Sequence, residues 1–264
     1  MKGVILAGGT GSRLAPCTNV TNKHLLPVYN KPMIFFPLMA LKKAGIKDVL
    51  IIVGGNSVGD FLRLLGSGKQ FGMSLTYKMQ DSADGIAGAL RLAEPFAGNE
   101  PFAVILGDNI FESGITDVVN KFARRYNILD DTHNAMIVLK KVPNPHEYGV
   151  VEFEPFTLDT MTMPESIKIM NIVEKPKIAP SDYAVVGLYF YPPTVFKYIS
   201  NLSPSERGEL EITDVNKMFV EDGLMKYVIY DDDWYDAGTL EGILISSNKI
   251  HESKKAKEFY HEFD

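Results

Sequence analysis

Apolar positions in the first half of the chain follow two rhythms. Short runs rich in apolar residues at 2–6, 48–53, 74–79 and 102–106 have the length of strands. Between them, 33–44, 59–65, 86–95 and 116–126 alternate apolar and polar positions as helices do. In the first of these Leu38, Leu41 and Ala44 recur at helical spacing, and Gly45 stops the helix before the next strand. Strand–helix–strand alternation predicts an α/β fold, with a mostly parallel central sheet flanked by helices on both faces. After residue 130 the rhythm changes. Strands are expected at 135–142, 148–153, 167–173 and 184–191 with little helix between them, which predicts antiparallel additions to the same sheet. Helices at 212–221 and 240–251 bracket a further strand at 227–230. The stretch 155–166 is the least patterned and reads as a surface excursion between two strands. No repeat or linker divides the chain, so 1–264 is expected to form a single domain, with its two rhythms meeting near residue 130.

Composition narrows the partners. The chain has 264 residues, 45% of them hydrophobic, enough for one large core. Its net charge is −6 with both signs interspersed, so no basic stripe offers a nucleic-acid surface. Cys17 is the single cysteine, which excludes an intrachain disulfide and fits a reducing compartment. No secretory leader pattern opens the chain, and no run approaches the ~18 apolar residues of a membrane span. The expectation is a cytoplasmic protein with no membrane partner. Five scattered histidines without an H-E-x-x-H pair argue against a histidine zinc site.

Leu6-Ala7-Gly8-Gly9-Thr10-Gly11-Ser12-Arg13-Leu14 directly follows the first apolar run. Three glycines let the backbone turn tightly and bring N–H groups to an anion. Arg13 adds a guanidinium fork, and Lys23 a second positive charge. Two better-known phosphate loops fail here. The dinucleotide fingerprint starting at Gly9 would place Leu14 where its last glycine belongs, and the only Gly-Lys pair, Gly68-Lys69, is followed by Gln70. The bland alternative is a strand-to-helix turn, which the nearby Arg13 and Lys23 make less economical.

Other candidates sit where strands end. Asp108 follows the run 102–106, and Asp236 follows Trp234-Tyr235; either could ligate a hard divalent cation or merely cap a helix. Glu174-Lys175-Pro176 closes another strand. Its lysine suits a sugar phosphate and its glutamate sugar hydroxyls, the alternative being an exposed charge pair. Gln80 offers one donor and one acceptor side, which complements the N3–H and O4 edge of thymine or uracil, and Gly85 leaves room for a base. A turn before a small-residue helix explains the same residues without a base.

Together, L-A-G-G-x-G-S-R-L, Lys23-His24-Leu25-Leu26-Pro27, Leu106-Gly107-Asp108-Asn109, Tyr148-Gly149-Val150-Val151-Glu152, Glu174-Lys175-Pro176, Gly187-Leu188-Tyr189-Phe190-Tyr191, 207–214 and Trp234-Tyr235-Asp236-Ala237-Gly238-Thr239 run almost the whole length of the chain. In this order they resemble the sugar-1-phosphate nucleotidylyltransferases, and among them short members acting on dTTP and glucose 1-phosphate. The resemblance implies a Rossmann-like nucleotidyltransferase fold with a nucleotide-binding half (1–130) and a sugar-binding half (131–264). It implies Arg13, Lys23, Asp108 and Lys175 as catalytic, and Mg²⁺ held by Asp108 and Asp236. Leu6, Gly8, Gly9, Gly11, Ser12, Arg13, Gln80 and Gly85 would meet the nucleotide. Asn109, Gly149, Glu174, Lys175 and Val185 would meet the sugar phosphate. UTP in place of dTTP is the alternative, since uracil has the same edge. A non-catalytic nucleotide-sugar-binding regulator is the other, disfavoured because every charged motif residue is present. Three departures bear on specificity: His24 and Gly88 where the family commonly has glutamine, and Val186 where it has threonine. The 207–214 motif reads as the start of a helix. The residues 254–258 read as a charged tail, and longer family members continue beyond it. A homo-oligomer with a different interface and weak or absent remote-site inhibition is therefore expected.

Overall fold

A computed structural model describes residues 1–128, 132–155 and 167–261. Among them, nine strands form one sheet: β1 (Lys2–Ala7), β2 (Asp48–Gly54), β3 (Ser74–Gln80), β4 (Phe102–Leu106), β5 (Ala135–Lys141), β6 (Gly149–Phe153), β7 (Ile169–Glu174), β8 (Tyr183–Tyr191) and β9 (Met225–Ile229). β4, β1, β2 and β3 lie side by side and parallel. β8 runs antiparallel to them and joins the two parts of the chain. The end of β8 pairs with β4, Leu188 opposite Ile105 and Tyr191 opposite Phe102. Its start touches β6 at Ala184–Val150, and its other edge pairs with β5. The expected mixed sheet is present. β9 departs from the expected pattern in one respect: it lies parallel to β5.

Alternation along each strand assigns the two faces. On β1, Ile5 and Ala7 join Ile51, Val53 and Ile105 beneath the helices Phe35–Lys43, Val58–Leu65 and Thr116–Ile128. Val4 and Leu6 join Leu50, Ile52 and Val104 beneath Gly85–Arg91, Val195–Ser200 and Ile212–Glu221. Both faces are covered, which is why the central strands read as unbroken apolar runs.

The expected helix at 86–95 is two short ones, Gly85–Arg91 and Glu94–Ala97, with Pro95 in the first turn of the second, where its missing N–H costs nothing. Val195–Ser200, which follows Pro192-Pro193 and Thr194, is a helix of six residues, too short for periodicity to reveal. The expected charged tail is instead the helix Lys254–Tyr260. Tyr260 is buried, its ring 4.8 Å from that of Phe36 and its hydroxyl donating to the Phe111 carbonyl at 2.7 Å. The Lys31 ammonium donates to the Tyr260 carbonyl at 2.7 Å, and Lys43 donates to that of Phe259. Most of the expected surface excursion, 156–166, lies outside the described residues. No helix among the described residues is long and apolar enough to cross a membrane.

Candidate active site

A cavity of about 560 Å³ opens above the carboxyl ends of β1 and β4, lined by residues from both halves of the chain. Every residue expected at a site lines it.

The glycine loop leaves β1 and enters the turn Ser12–Leu14 through Gly11, whose φ of 69° is left-handed. Thr18 donates to the Gly11 carbonyl at 2.9 Å and closes the loop. Lys23 opens a second short turn, Lys23–Leu25, capped by the Asn22 side chain, which accepts from the His24 N–H at 2.9 Å. The Asn22 amide also donates to the Ala7 carbonyl at 3.2 Å. The lysine turn is thereby fastened to the end of β1. His24 is buried below it, its Nδ1 2.8 Å from Asn22 Oδ1, and burial first, then the Lys23 charge, hold its pKa down to about 3. Its ring needs Gly107, where a Cβ would stand 2.5 Å from His24 Cδ2.

Asp108 follows β4, and Asp236 ends the strand Trp234–Asp236, which pairs antiparallel with Asn109–Phe111. This ribbon puts the two carboxylates over one point: a Cβ at Gly238 would stand 2.9 Å from Asp236 Oδ1, 3.1 Å from Asp108 Oδ2 and 3.4 Å from Arg13 Nη2. Only glycine leaves that space open. Lys23 Nζ lies 2.5 Å from Asp108 Oδ2. Burial alone would raise the Asp108 pKa, but the Lys23 ammonium and hydrogen bonds from Lys23 and Asn109 hold it well below the usual carboxylate range. Asp236 goes the other way, pushed up to about 6 by burial and then by the negative charge of Asp108. Among the described residues no three His, Cys, Asp or Glu side chains cluster as a complete metal cage. Two facing carboxylates, one destabilised by the other, suit a Mg²⁺ that takes its remaining ligands from water and substrate phosphates.

Asn109 is largely committed inside the protein. Its Oδ1 accepts from Gly187 N at 3.0 Å and Trp234 Nε1 at 2.7 Å, and its amide donates to Asp108 Oδ1 at 3.0 Å. One N–H is left for a ligand. Its evident task is to orient Asp108.

At the far end, Lys175 follows β7 with a left-handed φ of 43°, its N–H bonded to the Tyr148 carbonyl at 2.9 Å. Non-glycine residues in that region are uncommon and concentrate at functional sites. Among the described residues neither Lys175 nor Arg13 is in an ion pair, and both are exposed at the cavity. Glu174 Oε2 accepts from Thr213 Oγ1 at 2.6 Å, and a Cβ at Gly149 would stand 3.3 Å from both of those oxygens. Gln80, nearly buried, closes the opposite end near Gly85, whose φ is 92°.

Reading 207–214 only as the start of a helix misses its part here. Arg207, Thr213 and Asn216 line the cavity, and Arg207 Nη2 lies 3.9 Å from Glu174 Oε1. The ordered match of that motif was the available signal. Val186, by contrast, is fully buried in the core on the face opposite Val185, so it has no direct contact with the cavity.

The nucleotidyl transferase family model matches residues 2–253. A glucose-1-phosphate thymidylyltransferase of Neisseria meningitidis is 43% identical over 246 residues, 92% of this chain and 80% of that protein. One from Xanthomonas campestris pv. campestris is 40% identical over 257 residues, 94% and 80% of the two chains. A crystal structure from Bacillus anthracis, provisionally named a glucose-1-phosphate thymidylyltransferase, superposes with a TM-score of 0.85 at 43% identity, over 97% of this chain and 99% of that one. A UDP-glucose pyrophosphorylase solved with UDP-glucose follows at 0.79 and 26%, over 95% and 98%.

Proposed function

The chain belongs to the nucleotidyl transferase family, and on that footing we propose that it is a glucose-1-phosphate thymidylyltransferase, joining dTTP and glucose 1-phosphate into dTDP-glucose with release of pyrophosphate. One observation carries the reading. A single cavity has an amide and a glycine at one end, two carboxylates with Arg13 and Lys23 in the middle, and Glu174 with Lys175 at the other. That is the order base, phosphates, sugar.

The reaction needs no side-chain nucleophile. A phosphate oxygen of glucose 1-phosphate attacks the α-phosphorus in line, and the bond to the bridging oxygen of the β-phosphate breaks. Pyrophosphate leaves with that electron pair. The protein holds two anions in line and offsets their repulsion. Arg13 and the N–H groups of the glycine loop face the triphosphate, Lys175 the sugar phosphate, and Glu174 the sugar hydroxyls. Lys23 stands beside Asp108, within reach of the reacting phosphates. Asp108 and Asp236 would hold Mg²⁺, which when bound neutralises phosphate charge. A single preorganised group of this kind is worth roughly 2.7–4 kcal/mol in the transition state. The working form we propose is a cytoplasmic homo-oligomer.

UTP is kept as a second nucleotide because uracil shares the edge that Gln80 faces. The test is a matrix of dTTP, UTP, dCTP and dATP against glucose 1-phosphate and other hexose 1-phosphates with Mg²⁺, read as pyrophosphate release. Fastest turnover with dTTP and glucose 1-phosphate is expected; no release from any pair overturns the reading.

A further inference from the structure

Gln80 is an ambiguous reader by itself, because either half of its amide could face a base. Here its surroundings remove the ambiguity. Gln80 Nε2 donates to Asp84 Oδ1 at 2.7 Å. A carboxylate can only accept, so the NH₂ group must be the half turned toward Asp84 and the carbonyl oxygen the half turned away. Among the described residues no group donates to that Oε1, yet no buried side-chain polar atom lacks a partner. Oε1 is therefore open to the cavity that Gln80 lines, beside the Cα of Gly8.

Asp84 is itself held in place. Its carbonyl accepts from Leu210 N at 2.8 Å, its N–H donates to Ser82 O at 3.0 Å, and Arg91 Nη2 lies 3.6 Å from Oδ2. The carboxylate lies directly over the Cα of Gly88: a Cβ there would stand 2.5 and 2.6 Å from its two oxygens. Any side chain at residue 88 displaces the carboxylate. Gly88 is one of the two positions at which this chain departs from a glutamine of the family pattern.

We propose that Asp84, in the space left by Gly88, is a specificity-determining positioning residue. It fixes the amide of Gln80 so that the carbonyl oxygen, an acceptor, is the half that meets N3 of the base. The site then selects pyrimidines that carry an N3–H, thymine and uracil, and rejects cytosine, whose N3 is a bare acceptor. Two acceptors facing each other leave both unpaired, which is the strongest form of rejection available to a polar site. This rests on the proposed nucleotidyl transfer and deepens it.

Two variants test it in the intact protein. Asp84→Asn offers both a donor and an acceptor, so the Gln80 amide can turn over and present NH₂ to N3 of cytosine. Gly88→Ala pushes the carboxylate aside while placing a better helix former in the helix Gly85–Arg91, so loss of folding is not at issue. kcat/KM is measured for dTTP, UTP and dCTP with glucose 1-phosphate, alongside nucleotide affinity by titration calorimetry without sugar. The expected result is a fall in the dTTP-to-dCTP ratio by about tenfold or more in both variants, carried by the affinities and by KM rather than kcat. An unchanged ratio in variants that still use dTTP overturns the role of Asp84 and leaves the nucleotidyl transfer standing. Wild-type protein that uses and binds none of the three nucleotides overturns both.

Discussion

At the scale of single residues, the two aspartates and the histidine between the loops carry the most testable chemistry. Asp108→Asn keeps shape but loses the charge that holds Lys23 and, on our reading, Mg²⁺. Turnover should fall by about 10²–10³ or more, with the Mg²⁺ dependence weakened; steady-state rates across a Mg²⁺ titration check this. Lys175→Ala should raise KM for glucose 1-phosphate more than KM for dTTP. Lys175→Gly should do the same but be the more stable of the two, because glycine adopts the left-handed backbone there freely. Equal stabilities and an unmoved KM would count against both assignments. His24 gives a pH prediction. Its pKa is held at about 3, against about 6.5 in an unfolded chain, so between those values the unfolded state carries the extra proton. Stability from His24 is therefore complete above pH 6.5 and declines as pH falls. Asp236, raised to about 6 in the metal-free protein, takes up a proton on folding and has the opposite slope. The two partly cancel in the wild type. In His24→Gln only the histidine contribution disappears, so from pH 6 to pH 5 the variant should gain about 1 kcal/mol relative to the wild type. Urea titrations at the two pH values read that difference directly.

At the scale of elements, what the sequence disclosed follows from local physics. Apolar runs of strand length and the helix at 33–44, which is Phe35–Lys43, were legible because burial on two faces leaves a continuous signal. The glycine loop was legible because three glycines within four positions, with Arg13 two residues on, mark a tight turn beside a cation. Contacts between distant segments were not. Nothing local to Leu210 says that its N–H and C=O pair with Asp84 and Ala87, bracing the Gln80 end of the cavity. Nothing local to Thr213 announces that its hydroxyl orients Glu174, 39 residues away. Lys254–Tyr260 reads as a charged tail because only Ala256 and Tyr260 point inward, too few for a periodic signal. Its role follows from the Tyr260 ring in the pocket of Phe36 and its hydroxyl on Phe111, the last residue of the ribbon that starts at Asn109. Tyr260→Phe leaves the Phe111 carbonyl without that donor and should cost about 1 kcal/mol. Tyr260→Ala empties the pocket and should cost about 3–5 kcal/mol. Denaturant midpoints at constant slope distinguish the two.

At the scale of the whole molecule, the two halves of the chain cannot unfold independently without exposing each other's core. β8, from the second half, pairs with β4 of the first, and Leu188 and Phe190 pack in the same cluster as Ile5 and Ile105. The cavity repeats the arrangement, with the glycine loop from one half and Glu174 and Lys175 from the other. Trp234, the only tryptophan, lies on this seam: its indole N–H donates to Asn109 and its ring is 5.4 Å from that of Tyr148. Trp234 fluorescence therefore reports the junction of the halves, while far-ultraviolet circular dichroism reports the helices spread over both. A shared core predicts that the two signals trace one urea transition with a common midpoint. Saturating dTTP should move both together, by about 2.7 kcal/mol at a hundred times its dissociation constant. Fluorescence that changes well before the circular dichroism would mean that the seam opens while each half stays folded. In that case β8 is a hinge rather than a bond between the halves.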